Sequence, residues 1–216
     1  MQGALGGFRR PPGWWIGLGA CLAIGLGCAG DLVPIDAEQG GGYRSRKLGY
    51  SLAHPAGADA TGWQSVEVEG ASFAVRGPDG PVYSLSARCR RTRASVATLA
   101  RHLFIGIESD RFVDAGPLEH AGLSGYRQRV VTDEGGAGGA IMIDVVTLQQ
   151  GDCVYDLLVV ARGEPSFAAA EPVFERWWRS FSPGPAPDSA AALGSAAAPD
   201  AAVVWRFGPA WPKGLL

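Results

Sequence analysis

The chain has 216 residues, with 19 Lys and Arg against 21 Asp and Glu and a formal net charge of -2. That is room for one domain plus extensions, and near-neutral charge argues against a general nucleic-acid binder or a polybasic membrane-surface protein. Apolar residues reach 47%, enough for a core, while four cysteines are too few for a disulfide scaffold and too dispersed to read as metal ligands.

Arg9 and Arg10 are the only charges before Asp31, and an apolar stretch follows over 14–27. A positive start, a short apolar run and small residues at its end describe a secretory signal. The run falls short of the roughly 20 apolar residues that a membrane span needs. Pro11 and Pro12 directly after the paired arginines fit a twin-arginine signal poorly. The end of the run resembles a lipobox, the bacterial pattern of a Leu-like residue, two small residues and a cysteine. Leu18-Gly19-Ala20-Cys21 matches it best but leaves a very short apolar run; Gly25-Leu26-Gly27-Cys28 matches less well but closes a run of normal length. A leader must enter the bilayer before a peptidase can cut it, which favours Cys28, with Cys21 as the alternative. The resemblance implies acyl chains on that cysteine, and two or more chains anchor stably. Ala29, where inner-membrane retention would want Asp, implies the periplasmic side of the outer membrane. An ordinary cleaved signal with an incidental cysteine is the plainer alternative.

After this leader (1–28), residues 29–46 contain Gly40-Gly41-Gly42 and read as a flexible tether. A domain over 47–181 follows. Leu48, Tyr50 and Leu52 alternate with small residues, the period of a strand, until Pro55. Trp63, Val66 and Val68 suggest a second strand, and Phe73 and Val75 a third. Gly77-Pro78-Asp79-Gly80 is a turn signal. Tyr83, Leu85, Ala87 and Cys89 share one face of the next strand. Ser95 can cap a helix in which Val96, Leu99, Ala100, Leu103 and Ile107 form one apolar stripe. Strands are predicted over 112–118, 122–132, 140–148 and 153–161, with short connections that imply antiparallel neighbours. Asp144 and Asp156 sit between apolar neighbours and are expected on the more exposed faces of their strands. Pro165 opens a second helix, with Phe167, Ala170, Phe174, Trp177 and Phe181 along one side and Trp178 at its edge. The Ala- and Pro-rich segment 182–216 reads as a disordered tail, although Trp205, Phe207 and Trp211 near its end could dock on the domain or a partner. This order predicts an α+β fold: an antiparallel sheet of six or seven strands with both helices packed on one face, a two-layer sandwich.

Gly49-Tyr50-Ser51-Leu52 with Pro55 and Trp63, the run from Gly122 to Arg127 leading into a long strand, and the closing aromatic helix over 174–181 resemble the PsbP-like superfamily, which includes bacterial lipoproteins of the LpqN type. The resemblance covers most of 47–181 and lies in layout and loose motifs. It implies a compact accessory domain that binds or assembles and does not catalyse.

Cys89 and Cys153 share strand parity with their apolar neighbours, so both should point toward the core. Outside the cytoplasm such a pair is expected to oxidise if the Cα atoms lie within about 7 Å; two free buried thiols are the alternative. His54, His102 and His120 show no ligand spacing. Ser124 in Gly-Leu-Ser-Gly lacks the glycine two residues on that a nucleophile elbow requires, because Tyr126 stands there. Neither a catalytic residue nor a cofactor or metal site is expected. Arg88, Arg90, Arg91 and Arg93 form the densest charge cluster and could contact an anion or a partner; strand alternation places Arg88 and Arg90 opposite Cys89, where a solvated sheet face is the plainer reading. The function expected is that of a membrane-anchored envelope lipoprotein, a non-enzymatic accessory with an envelope protein as partner. The alternatives are a carrier of an apolar molecule between sheet and helices and, weakest, an envelope hydrolase.

Overall fold

The computed structural model describes residues 32–35, 41–105, 111–132 and 139–185. Ten strands and two helices follow in order: β1 (Leu32–Ile35), β2 (Gly42–Ser45), β3 (Ser51–Leu52), β4 (Gln64–Ser65), β5 (Phe73–Arg76), β6 (Val82–Cys89), α1 (Val96–His102), β7 (Arg111–His120), β8 (Leu123–Thr132), β9 (Ile141–Gln150), β10 (Cys153–Arg162) and α2 (Glu164–Arg179). Strands β1, β2 and β3 form a small sheet; the other seven form one antiparallel sheet in the order β4-β5-β6-β10-β9-β8-β7. The predicted class, an α+β fold on an antiparallel sheet with two helices, is the one observed.

The sheet is built in two moves. Strands β4 to β6 form one half. The chain then crosses four strand spacings, about 19 Å, to lay β7 on the far edge, and meanders back through β8 and β9 until β10 docks beside β6. Alternation of direction across these pairs makes β6 and β7 parallel, so α1 is the crossover between them. It runs over β8 and β9, where Leu103 and Phe104 at its end pack with Val130, Ile143, Val145, Leu158 and Val160. α2 follows β10 and covers the other face, where Phe167, Phe174, Trp177 and Phe181 pack with Leu85, Val146, Leu148, Tyr155, Leu157 and Val159. Residues of β9 and β10 in these two clusters have opposite parity.

That parity corrects the expectation of both helices on one face: the sheet is covered on its two faces by different helices. The sequence carries a signal for this. Ile141–Leu148 and Cys153–Ala161 are nearly continuous apolar runs, the mark of strands buried on both sides. The expectation that Asp144 and Asp156 lie on exposed faces falls for the same reason, since each is 0% exposed.

Other boundaries move less. Part of the predicted tether is ordered: β1 pairs with β2, and the Tyr43 ring packs 4.7 Å from that of Phe73. α1 ends at His102, and at its start the Ser95 hydroxyl accepts from the Thr98 N–H. Ile107, Cys21, Cys28 and the tail aromatics lie outside the described residues. Trp178, expected at the edge of its helix, is buried, and its indole N–H donates to Glu175. Gly125 on β8 is required by close approach: a Cβ there would meet Leu118 Cδ1 at 2.5 Å and Leu148 Cδ2 at 2.8 Å. Strand β7 forms one edge of the sheet and carries a bulge between Phe112 and Asp114 and a proline, Pro117, features that blunt edge-to-edge pairing.

Candidate functional site

Each face of the sheet buries one aspartate. On the α2 face, Asp144 of β9 stands beside Arg129 in the cross-strand register, and Arg127 lies two residues along the same face of β8. Arg127 donates through Nε to Oδ1 at 3.0 Å and through Nη2 to Oδ2 at 2.8 Å, a bidentate grip; Arg129 Nη2 donates to Oδ2 at 2.9 Å. Both guanidinium groups reach on to α2. Arg127 bonds Glu175 at 3.0 Å, Arg129 bonds Glu171, and the Arg129 guanidinium lies 4.9 Å from the centre of the Phe167 ring. The bonds to Asp144 raise the Arg127 pKa further. Burial acts to raise the Glu175 carboxyl, but hydrogen bonds from Trp178 and Arg179, with the charges of Arg127 and Arg179, outweigh it and hold the group low. The network fastens α2 to β8 and β9.

On the α1 face, Asp156 of β10 is held by fewer hands. Arg88 Nη2 donates to Oδ2 at 2.6 Å and the Thr147 hydroxyl donates to Oδ1 at 2.9 Å. Burial raises the Asp156 pKa, opposed by the Arg88 charge and the two bonds. Around it lie further buried polar side chains that the sequence reading did not single out. Reading across β6, β10, β9 and β8, one row is Ser84, Leu158, Val145, Gln128 and the next is Ser86, Asp156, Thr147, Tyr126. Ser84, Ser86, Gln128 and Thr147 are all buried.

Cys89 and Cys153 are register partners on β6 and β10 and form a disulfide, with Cα atoms 3.9 Å apart. The bond ties together the two halves of the sheet across 64 residues of chain. Of the arginine cluster, Arg88 is drawn inward onto Asp156, on the face opposite Cys89 as strand parity predicts. Arg90, Arg91 and Arg93 are exposed on the connection from β6 to α1, where the Arg90 N–H donates to the Asp152 carbonyl.

The histidines stay apart. His54 accepts the Ala56 N–H at Nδ1 and packs edge-on against Trp63 and Phe73, and burial lowers its pKa. His120 Nε2 donates to the Phe181 carbonyl at 2.8 Å. His102 is exposed in the last turn of α1. Ser124 is exposed on β8, opposite Glu119 and Gln149. Among the described residues no group of three His, Cys, Asp or Glu could hold a metal, and no helix is long and apolar enough to cross a membrane.

No protein-family model matches the chain, and no curated protein matches its sequence. Solved structures do match. LpqN of Mycobacterium tuberculosis, a protein involved in cell envelope biogenesis, superposes with a TM-score of 0.50 at 12% identity, covering 71% of this chain and 91% of LpqN. The solution structure of cyanobacterial PsbP from Synechocystis superposes with a TM-score of 0.48 at 13% identity, covering 77% of this chain and 98% of that one. At such identities the likeness is one of fold. With LpqN this chain shares an α+β architecture, an antiparallel sheet with two helices, and that likeness shows the fold alone.

Proposed function

We propose that the chain is a non-enzymatic accessory domain of the bacterial cell envelope, tied to the membrane by acyl chains on Cys28 or, failing that, Cys21, and acting by binding a partner. The observation that carries this reading is how the domain uses its thiols and buried acids. Cys89 and Cys153 are joined, and both buried aspartates are held by arginine, so these groups serve the fold and recognition falls to the surface. A disulfide across the sheet suits an oxidising compartment. The leader with its lipobox-like end and the LpqN-type fold point the same way. The exposed Arg90, Arg91 and Arg93 on one connection are the natural contact for an acidic envelope protein, because exposed guanidinium groups pair with carboxylates in planar two-point contacts. A carrier of an apolar molecule finds less support: between the sheet and α2, Tyr83, Tyr155, Leu157, Phe174 and Trp177 are all essentially inaccessible.

Two experiments test the reading. Cells are fed radioactive palmitate. Incorporation into the chain is expected, and it should vanish when Cys21 and Cys28 are both replaced by Ala; label that persists, or its absence from the wild type, ends the anchor. The acylated chain is then used to capture partners from native envelopes, beside an R90E/R91E/R93E variant. An identical partner set in the two captures removes the arginine contact.

A further inference from the structure

Strand β1 begins at Leu32, four residues after Cys28. Leu32 packs against the core on the α2 face and stands opposite Ser45 of β2. A connection of four residues spans at most about 14 Å, so acyl chains on Cys28 would hold this corner of the domain against the headgroup layer. The corner is basic. Arg44 alternates with the inward Tyr43 and Ser45, and Arg46 and Lys47 follow; all three cationic residues are exposed. Arg46 and Lys47 ride on a tight turn, in which the Gly49 N–H donates to the Ser45 carbonyl at 3.0 Å and the Leu48 N–H to the Ser45 hydroxyl at 2.9 Å. Asp31 precedes Leu32, while Asp36 and Glu38 fall between Ile35 and Gly42, at the opposite end of the β1–β2 pair. A chain of contacts brings a second basic segment to the same end of the molecule. The Gly49 and Gly184 backbones cross so closely that a Cβ on Gly184 would lie 2.6 Å from the Gly49 carbonyl carbon. The Gly184 carbonyl accepts from Gln150 Nε2 at 3.0 Å, and just beyond, the Asp152 carbonyl accepts the Arg90 N–H at 2.8 Å. The net charge of -2 over the whole chain conceals this local excess.

We propose that this corner seats the domain on the bilayer, with Arg44, Arg46 and Lys47 on the phosphates of anionic phospholipids. The seat rests on acylation of Cys28 and goes beyond it: an anchor fixes where the chain is tied, and the seat fixes which end of the domain faces the membrane. An anionic leaflet attracts Lys and Arg, but at physiological ionic strength the attraction fades over about 8 Å. It therefore acts only on cations held close, which is what the short connection does. Guanidinium groups bind phosphate oxygens through two parallel hydrogen bonds, and acyl chains and a basic patch reinforce each other. Acylation at Cys21 would give an eleven-residue connection with a reach of about 39 Å and no such constraint. Seated in this way, Arg90, Arg91 and Arg93 lie at the membrane end, so an acidic protein that meets them is one that lies along the bilayer surface.

The test uses the acylated chain, with the acylated residue read by mass spectrometry, in vesicles of phosphatidylcholine alone or with phosphatidylglycerol added. A neutral, water-soluble dicarbonyl reagent modifies the arginines, and Arg101, exposed on α1, is the internal reference. Acyl chains are expected on Cys28. Arg44 and Arg46 should react roughly tenfold more slowly in the anionic vesicles than in the neutral ones, with Arg101 unchanged. High salt should remove the difference, because it screens the phosphates. In R46E/K47E the remaining Arg44 should lose its protection. Equal reaction in the two kinds of vesicle, or protection of Arg44 that survives in R46E/K47E, overturns the seat and leaves the anchor standing. Acyl chains on Cys21, or none, overturn the anchor on which the seat rests. Protection in native envelopes but in neither vesicle would show that a protein covers the patch, and overturns the lipid contact.

Discussion

The two faces of the sheet hold their aspartates in opposite ways. Asp144, under α2, receives bonds from two arginines that are themselves fixed to α2 by Glu171 and Glu175. Asp156, on the α1 face, has one arginine and one hydroxyl, with unmatched serines nearby. The α2 face also carries the interlocked rings of Tyr50, Tyr83, Tyr155, Phe174, Trp177 and Phe181 and the disulfide. One face is built for rigidity. The other, among the described residues, leaves the Ser84 and Ser86 hydroxyls and the Gln128 amide nitrogen without a partner.

Substitutions can break this contrast. The largest effect should come from Trp177→Ala, which empties the centre of the α2 face and strips the Ala53 carbonyl of its indole donor. A loss of about 5 kcal/mol is expected in urea unfolding. Opening the disulfide in a Cys89→Ala/Cys153→Ala variant should cost about 4 kcal/mol in the chain-entropy picture, because the bridge closes a long loop. The same loss should appear on adding a reductant to the wild type and be absent from the variant.

On the α1 face, Arg88→Ala should cost about 3 kcal/mol at neutral pH, because it leaves a buried carboxylate without its cation. The sign with pH follows from the raised pKa of Asp156. The folded state holds that proton more tightly than the unfolded chain, so the contribution is fullest below the unfolded value and is lost as pH rises through the folded value. Without Arg88 the folded value climbs further, and the deficit should shrink as pH falls from 7 toward the carboxylate range. Glu175 behaves oppositely. Its carboxyl is held low, so its bonds to Arg127, Arg179 and Trp178 are present above the unfolded value and lost in acid. Amide exchange should therefore show α2 loosening first on acidification, and exchange in α2 that is insensitive to acid would contradict this. The smallest effect is that of Ser84→Ala/Ser86→Ala, a change of about 1 kcal/mol or less, in the stabilising direction.

Much of this was legible in the residues. Strand parity placed Cys89 and Cys153 on one face and Arg88 on the other, and the stripe from Phe167 to Trp177 marked the buried side of α2. The candidate site was legible only in part. Serine at 84 and 86 alternates with Tyr83 and Leu85, which is the pattern of a solvated outer face, and Gln128 between two arginines looks like surface. Nothing local distinguishes an outer face open to water from one roofed by a crossover helix.

What the sequence by itself determined is the two helices and the long strands of the main sheet, their amphipathic faces and the parity of side chains along those strands, because those depend on residues only a few positions apart. What the tertiary structure alone decided is which layer covers each face. Long-range pairing sent the chain across the sheet through α1 before β10 returned to β6, and that route buried Asp156, Ser84, Ser86 and Gln128. Parity tells a side chain which way to point; only the path of the remote chain decides whether it meets water, a helix or a guanidinium group.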